Sequence, residues 1–132
     1  MVARQASCSC GQLRVTTEGE PVRLSMCHCL ECQKRTGSPF GVQARFRSEQ
    51  VTGVAGQATE FIRVADSGNR VTFRFCPECG STIYWTLSAF PDIVAVAVGA
   101  FTECAFPPPR ISAYERRRHP WVDVPNGVEH ID

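Results

Sequence analysis

Cysteines are the residues best able to do chemistry in this sequence, and there are eight of them. Seven fall into three short groups, which are Cys8-x-Cys10, Cys27-x-Cys29-x-x-Cys32 and Cys76-x-x-Cys79, and Cys104 stands alone. In a reducing compartment, thiols bunched in this way hold metal more often than they form disulfides. Zinc takes thiolate ligands at such spacings, so the sequence predicts zinc sites.

Four of the cysteines make one closed site. A structural zinc takes four ligands, whereas a catalytic zinc takes three and keeps one position for substrate or water. Cys8 and Cys10 supply two ligands, and Cys76 and Cys79 supply the other two. Gly80 suits a zinc-knuckle turn because it allows a positive φ. We expect these cysteines to be scaffold ligands with no catalytic role.

The remaining group predicts a second zinc, for a total of two zinc ions per chain. Cys27, Cys29 and Cys32 lie within six residues and can all reach one ion. Candidates for a distant fourth ligand are His28, Cys104 and His119. A lone cysteine is more often a small packing residue, which is our interpretation of Cys104. Spacing alone leaves open whether this zinc is structural or has an open position.

The elements that must position these cysteines are short strands. Apolar residues make up 43% of the chain, enough for the core of one domain over residues 1–132. Alternating, β-branched segments predict strands at residues 12–17, 40–46, 59–64, 69–75, 81–86 and 93–99. Turns are predicted at Thr52-Gly53, at residues 66–69 and at Phe90-Pro91-Asp92. The only helix expected covers Cys29 to Thr36 and stops at Gly37. The fold class is therefore mainly β.

The charge balance argues against a nucleic-acid protein. Fourteen basic and thirteen acidic residues give a net charge of +1, and two zinc ions held by seven thiolates would change it to about −2. We interpret the run Arg116–Arg118 as a solvated face. No segment approaches the ~18 apolar residues of a membrane-spanning helix, and residues 1–7 carry no apolar signal segment. We therefore expect a cytoplasmic protein.

Several stretches resemble one known family. They are Cys8-Ser9-Cys10-Gly11, the segment from Cys27 to Phe40 (CHCLECQKRTGSPF), Phe75-Cys76-Pro77-Glu78-Cys79-Gly80-Ser81, and the tail from Pro109 to Val122. Together they are similar to the glutathione-dependent formaldehyde-activating enzymes, the S-(hydroxymethyl)glutathione synthase-like or CENP-V/GFA domain family. The resemblance covers roughly residues 5–125.

The resemblance implies a fold and two kinds of zinc site. It implies a β-tent (Mss-four-like) fold of short antiparallel strands with little helix, in which two sheets meet and zinc clamps the apex. In family terms Cys8, Cys10, Cys76 and Cys79 match structural zinc ligands. Cys27, Cys29 and Cys32 match the ligands of a catalytic zinc, and this favours an open position at the second site.

The resemblance also implies an activity. A thiol such as glutathione, deprotonated at the open zinc, would attack a small aldehyde such as formaldehyde, as in a carbon–sulfur lyase or synthase. Lys34 and Arg35 are the nearest cations for the two glutathione carboxylates, which makes them candidate substrate-binding residues. The alternative is a non-catalytic, zinc-stabilised binding module of the same fold. The sequence does not indicate an oligomeric state.

Overall fold

The fold is mainly β, as predicted. A computed structural model describes residues 2–132. Its strands are β1 Ala3–Ser7, β2 Arg14–Glu18, β3 Arg23–Cys27, β4 Gly41–Arg47, β5 Val51–Ala55, β6 Thr59–Val64, β7 Arg70–Phe75, β8 Thr82–Leu87, β9 Phe90–Ala97, β10 Ile111–Ala113 and β11 Glu129–Ile131. The α-helix, α1, covers Leu30–Thr36, and short 3-10 helices cover Ser48–Gln50, Val98–Phe101 and Glu115–Arg117. Within the described residues, no helix combines the length and apolar character needed to cross a membrane.

The strands form two sheets. A three-stranded antiparallel sheet has the order β1-β2-β5, and an eight-stranded sheet has the order β11-β10-β3-β4-β9-β8-β7-β6. The expectation of antiparallel strands holds except at one side of the larger sheet. There β10 pairs in parallel with both β3 and β11, because the tail re-enters the sheet in the same direction as β3.

Apolar side chains from both sheets make the main core. They include Ala6 and Val15 from the small sheet, and Leu24, Phe46, Ile83 and Val96 from the large one. Each large apolar side chain removed from water in this way contributes about 1.5–3 kcal/mol. A second cluster, Val71, Trp85 and Ala95, lies on β7, β8 and β9. The large sheet thus has one face against the small sheet and another free to line a site.

Two predicted turns are wrong. Thr52-Gly53 lies inside β5, where Gly53 pairs with a residue of β2. Phe90-Pro91-Asp92 begins β9, and the chain reverses just before it, at Ser88-Ala89. Proline is tolerated there because a strand can accept it at its beginning, where no ladder donor is needed. The turn predicted at residues 66–69 is confirmed, with Gly68 at a φ of 88°.

Cys104 does not pack inside the fold. The side chain is exposed, in a segment where residues 102–105 are all exposed. Phe101, three residues earlier and only 4% exposed, is the side chain that packs into the core at this point of the chain. The interpretation of Cys104 as a buried packing residue is therefore wrong.

Candidate metal centres and the adjoining cavity

Four cysteines meet where the two sheets come together. Cys8 and Cys10 lie in the turn between β1 and β2, and Cys76 and Cys79 lie in the turn between β7 and β8. Their Sγ atoms all lie within 4.8 Å of one another. Cys10 Sγ is 3.6 Å from Cys8 Sγ and 3.6 Å from Cys76 Sγ. Tetrahedral zinc with Zn–S bonds of ~2.3 Å requires sulfur–sulfur separations of about 3.8 Å, so the cluster fits a four-thiolate zinc site.

Glycines shape both turns of this cluster. Gly11 and Gly80 have φ of 81° and 80°, in the left-handed region that glycine adopts without a steric cost. The Gly11 amide donates to the Cys8 carbonyl at 2.9 Å, and the Gly80 amide donates to the Cys76 carbonyl at 2.8 Å. Each hairpin end is thereby folded back so that its two thiols face the same point.

Hydrogen-bond donors surround the sulfur atoms of this cluster. The Gln12 side-chain amide donates to Cys76 Sγ at 2.9 Å, and the Leu13 backbone amide donates to Cys8 Sγ at 3.3 Å. The Gln12 side chain is fixed by the backbone of Gln57. Gln12 Nε2 donates to the Gln57 carbonyl at 2.8 Å, and the Gln57 amide donates to Gln12 Oε1 at 2.8 Å. Because N–H donors stabilise thiolates, the surroundings favour the ligand form of these cysteines.

The second group of cysteines spans a strand end and a helix start. Cys27 is the last residue of β3, Cys29 is the N-cap of α1, and Cys32 lies in the first turn of α1. The Cys32 amide donates to Cys29 Sγ at 3.4 Å, which holds the two thiols on one side of the turn. All three Sγ atoms lie within 4.8 Å of one another. Three converging soft sulfur donors are a ligand set that zinc accepts.

The three thiols influence one another's ionisation. The neighbouring thiols of Cys27 and Cys32 hold the pKa of Cys29 well below its usual range. The thiols of Cys29 and Cys32 in turn raise the pKa of Cys27, and burial raises it further. Sulfur atoms close enough to shift one another's pKa in this way are close enough to bind one metal ion.

The candidate fourth ligands lie elsewhere. His28 is fully buried, and its Nε2 lies 3.0 Å from Ser112 Oγ, so its side chain is committed to the β10 side of the sheet. His119 Nε2 bonds with Gln33 Oε1 at 2.9 Å. Among residues 2–132, no histidine, cysteine or carboxylate joins the group made by Cys27, Cys29 and Cys32. This cluster therefore offers three protein ligands.

The three cysteines open into a cavity of about 640 Å³, which we call the main cavity. Its floor is the free face of the large sheet, including Phe73 and Trp85, and its sides are α1, the β6–β7 hairpin and the tail after β10. Pockets that bind small molecules usually measure about 300–1,000 Å³. The main cavity is therefore large enough for a small peptide-like ligand in contact with the thiols.

Cations dominate the wall of the main cavity. It is lined by Arg35, Arg45, Arg63, Arg116 and Arg117, whereas its acidic residues are Glu31 and Asp66. In the described part of the chain, no carboxylate forms an ion pair with any of these arginines. Burial lowers the pKa of Arg45, and the charge of Arg23 on the neighbouring strand lowers it further. The wall therefore presents unneutralised positive charge to a ligand.

The two predicted substrate-binding cations occupy different places. Arg35 lines the main cavity, but Lys34 lines only a neighbouring groove. Arg116 and Arg117 are exposed, as expected of a solvated run, and also form part of the cavity wall. Arg118 turns away and donates to the Val122 carbonyl.

Arg35 contacts an aromatic ring on one side and a glycine on the other. Its guanidinium carbon lies 4.3 Å from the centre of the Trp85 ring, a favourable cation–π distance. On the other side, a Cβ at Gly41 would come within 2.9 Å of Arg35 Nη2. Gly41 on β4 therefore makes room for the guanidinium beside the cysteines.

Tyr114 is a strained residue on the cavity wall that the sequence did not reveal. Its φ of 57° and ψ of 47° are left-handed, which is uncommon for a residue other than glycine. It directly follows β10, whose Ala113 is in register with Cys27. Arg45, Arg63 and Trp85 were missed in the same way, because only strand pairing brings them to the cysteines.

Comparisons with known proteins give a family and a similar fold for this chain. A family model described as glutathione-dependent formaldehyde-activating enzyme matches residues 3–117. The crystal structure of a Rhodobacter sphaeroides protein, a structural genomics target, has a similar fold, with a TM-score of 0.57 and 20% identity over 73% of this chain and 85% of that chain. The comparison with curated proteins gives no significant match. Since the family match covers most of its length, this chain belongs to the glutathione-dependent formaldehyde-activating enzyme family.

Proposed function

We propose that this chain is a glutathione-dependent carbon–sulfur lyase or synthase of the S-(hydroxymethyl)glutathione synthase type. The observation that carries the proposal is the opening of the three-cysteine cluster into the arginine-lined main cavity. The family description, which names glutathione and formaldehyde activation, supports the same pair of reactants.

We infer two zinc ions per chain with different tasks. The cluster of Cys8, Cys10, Cys76 and Cys79 joins the two sheets and offers a complete ligand set, so its zinc would stabilise the fold. A zinc held by Cys27, Cys29 and Cys32 would act as a Lewis acid and deprotonate a coordinating thiol.

The reaction needs no side-chain nucleophile. The sulfur of glutathione forms a bond to the carbonyl carbon of formaldehyde or a similar small aldehyde, and the carbonyl π electrons move to oxygen. The proton lost by the thiol ends on that oxygen, so S-(hydroxymethyl)glutathione forms with no oxidant or reductant. The reverse reaction breaks the same carbon–sulfur bond. The task left to the protein is to hold the thiol and the aldehyde together.

Arginines of the main cavity would hold the glutathione. Its two carboxylates are matched by the guanidinium groups of Arg35, Arg45 and Arg63, which carry no ion pair within residues 2–132. A planar guanidinium binds a carboxylate with two parallel hydrogen bonds, and a hydrogen bond to a charged group contributes about 1.5–3 kcal/mol. Lys34, in the neighbouring groove, would attract an anionic part of a bound ligand that extends out of the main cavity.

The sharpest test replaces zinc by cobalt and adds glutathione. A glutathione thiolate that binds next to Cys27, Cys29 and Cys32 must change the visible cobalt spectrum, whereas S-methylglutathione, with its thiol blocked, should change it much less. An unchanged spectrum at millimolar glutathione would favour the non-catalytic binding module instead. Native mass spectrometry should find two zinc ions in the wild-type chain, and a single zinc would contradict the assignment.

Activity is tested by exchange NMR. The protein should accelerate the exchange between free formaldehyde hydrate and S-(hydroxymethyl)glutathione above the uncatalysed rate. Cys32→Ser should abolish the acceleration. An equal acceleration by the variant would show that the three-cysteine cluster is not where the reaction occurs.

A further inference from the structure

The groove that Lys34 lines continues from the main cavity along the large sheet. It has a volume of about 380 Å³ and shares Glu31, Arg35, Arg63 and Phe73 with the main cavity. We call it the side groove. Formaldehyde has no organic group that could extend into the side groove, so the lining of the groove indicates what a larger aldehyde would carry.

The floor of the side groove belongs to a continuous row of aromatic rings. Phe61 on β6 pairs with Phe73 on β7, which pairs with Trp85 on β8. The ring centres of Phe61 and Phe73 are 6.5 Å apart and nearly parallel, and those of Phe73 and Trp85 are 5.5 Å apart. We call these residues the aromatic strip. It runs from the outer edge of the sheet towards the three cysteines.

The outer end of the aromatic strip is open to solvent. Phe61 is 58% exposed although it lines the side groove together with Phe75. Large exposed apolar side chains that adjoin a concave site commonly mark a ligand-binding surface. A ligand covering Phe61 would remove this surface from water.

Cations lie over Phe73, the middle ring of the aromatic strip, and leave the outer ring, Phe61, exposed. The guanidinium carbon of Arg35 lies 5.8 Å from the ring centre of Phe73, and that of Arg63 lies 5.9 Å from the same ring. Lys34 adds a third positive charge to the lining, against the single carboxylate of Glu31. A flat apolar surface edged by cations suits a ring attached to an anionic molecule.

We propose that the side groove holds the organic group of the aldehyde, and that the preferred electrophile is an aromatic aldehyde. This inference rests on the proposed function. The thiol sulfur bonds to the carbonyl carbon, the π electrons move to oxygen, and the thiol proton completes the hydroxyl group of a hemithioacetal. The ring then lies on Phe61 and Phe73 while the glutathione carboxylates lie against the arginines of the main cavity.

The test compares two stable glutathione derivatives by calorimetry on the zinc-loaded protein. S-benzylglutathione carries a ring on sulfur, and S-methylglutathione carries only a methyl group. Burying a phenyl ring should make S-benzylglutathione bind about 10- to 100-fold more tightly. Equal affinities would overturn the inference and leave the proposed function standing. Failure of both derivatives to bind while glutathione itself binds would also overturn the inference alone, whereas failure of glutathione as well would contradict both.

Two variants locate the binding of the ring. Phe61→Ala should remove most of the preference for S-benzylglutathione and leave the affinity for S-methylglutathione unchanged. Ile62→Ala is the matched control, since Ile62 is 51% exposed on the same strand but lines neither cavity among the described residues. An unchanged preference in Phe61→Ala would overturn the proposal. So would light scattering that shows a wild-type dimer dissociated by Phe61→Ala, because a second copy would then cover the strip.

Discussion

Replacing Arg35 by methionine should weaken glutathione binding without loss of either metal centre. The guanidinium lies on the wall of the main cavity, and no carboxylate in residues 2–132 pairs with it. A hydrogen bond to a charged group contributes about 1.5–3 kcal/mol, so the dissociation constant should rise about 10- to 150-fold. Methionine preserves the apolar stem and contact with Trp85, which limits the effect to the lost charge and donors.

Arg35→Lys separates charge from geometry. Lysine keeps the positive charge but lacks the planar fork and the stacking on Trp85, where the guanidinium carbon is 4.3 Å from the ring centre. Because the Trp85 contact is present without ligand, the expected effect comes from the lost second hydrogen bond to the carboxylate, and the dissociation constant should lie between those of the wild type and Arg35→Met.

Gly41→Ala should displace the Arg35 guanidinium without changing its chemistry. The added Cβ would lie 2.9 Å from Arg35 Nη2, whereas ordinary contacts begin at about 3.5 Å, so the guanidinium must shift by roughly 0.6 Å. Two parallel hydrogen bonds do not both survive such a shift without loss. Glutathione affinity should therefore fall between that of the wild type and that of Arg35→Met.

Titration calorimetry of the zinc-loaded proteins with glutathione measures this series. Arg14→Met is the control, because Arg14 is an exposed arginine on β2 of the small sheet and lies outside the main cavity. Metal analysis should give the same zinc content for all variants, and thermal unfolding should show that each variant is folded at the temperature of the titration. If Arg35→Met binds glutathione as tightly as Arg14→Met does, the arginine wall does not hold the ligand carboxylates and the reasoning is wrong.

Three further results are expected. Cys32→Ser should retain one zinc ion of two in native mass spectrometry, since the four-cysteine cluster is separate; loss of both would show that the centres are coupled. Gln12→Leu should lower the free energy of unfolding by about 1.5–3 kcal/mol and speed zinc release to a chelator, because it removes the donor 2.9 Å from Cys76 Sγ; unchanged release would refute the role of this bond. A hydrogen bond from Ser112 lowers the pKa of Glu115, so this carboxylate stabilises the fold above its unfolded pKa of about 4.3 and the benefit disappears as pH falls through the lower folded value. The stability difference between the wild type and Glu115→Gln should therefore shrink on acidification, and chemical denaturation at several pH values would reveal a constant difference if this is wrong.

The sequence could predict those parts of the site that depend on residues close together in the chain. Cys27, Cys29 and Cys32 converge because a strand end and one helical turn bring near neighbours together, whatever the rest of the chain does. The stop at Gly37 was predicted for a similar reason, since its left-handed φ of 67° ends the helix locally.

The residues that line the cavity could not be predicted from local spacing. Arg45 and Trp85 come to the site because β4 and β8 both pair with β9, which depends on register between segments far apart in sequence. The parallel pairing that puts Tyr114 beside Cys27 was also invisible, because β10 has three residues and no alternating pattern of useful length. Thr52-Gly53 was misread because glycine inside a paired strand looks like a turn when the partner strand is unknown.

The four-cysteine cluster has a consequence for how the chain folds. Its two halves are separated by 66 residues between Cys10 and Cys76, and each half sits at the end of a hairpin that closes locally. A metal that joins the two hairpins early closes a long loop in the denatured chain, and the entropy of such a closure is worth about 4 kcal/mol for a loop of this length. The β3–β4 and β6–β7 pairs of the large sheet and the β2–β5 pair of the small sheet lie inside that loop, so their strands have shorter distances left to search. Refolding should therefore be limited by the capture of zinc when the metal is scarce, and by sheet assembly when it is abundant.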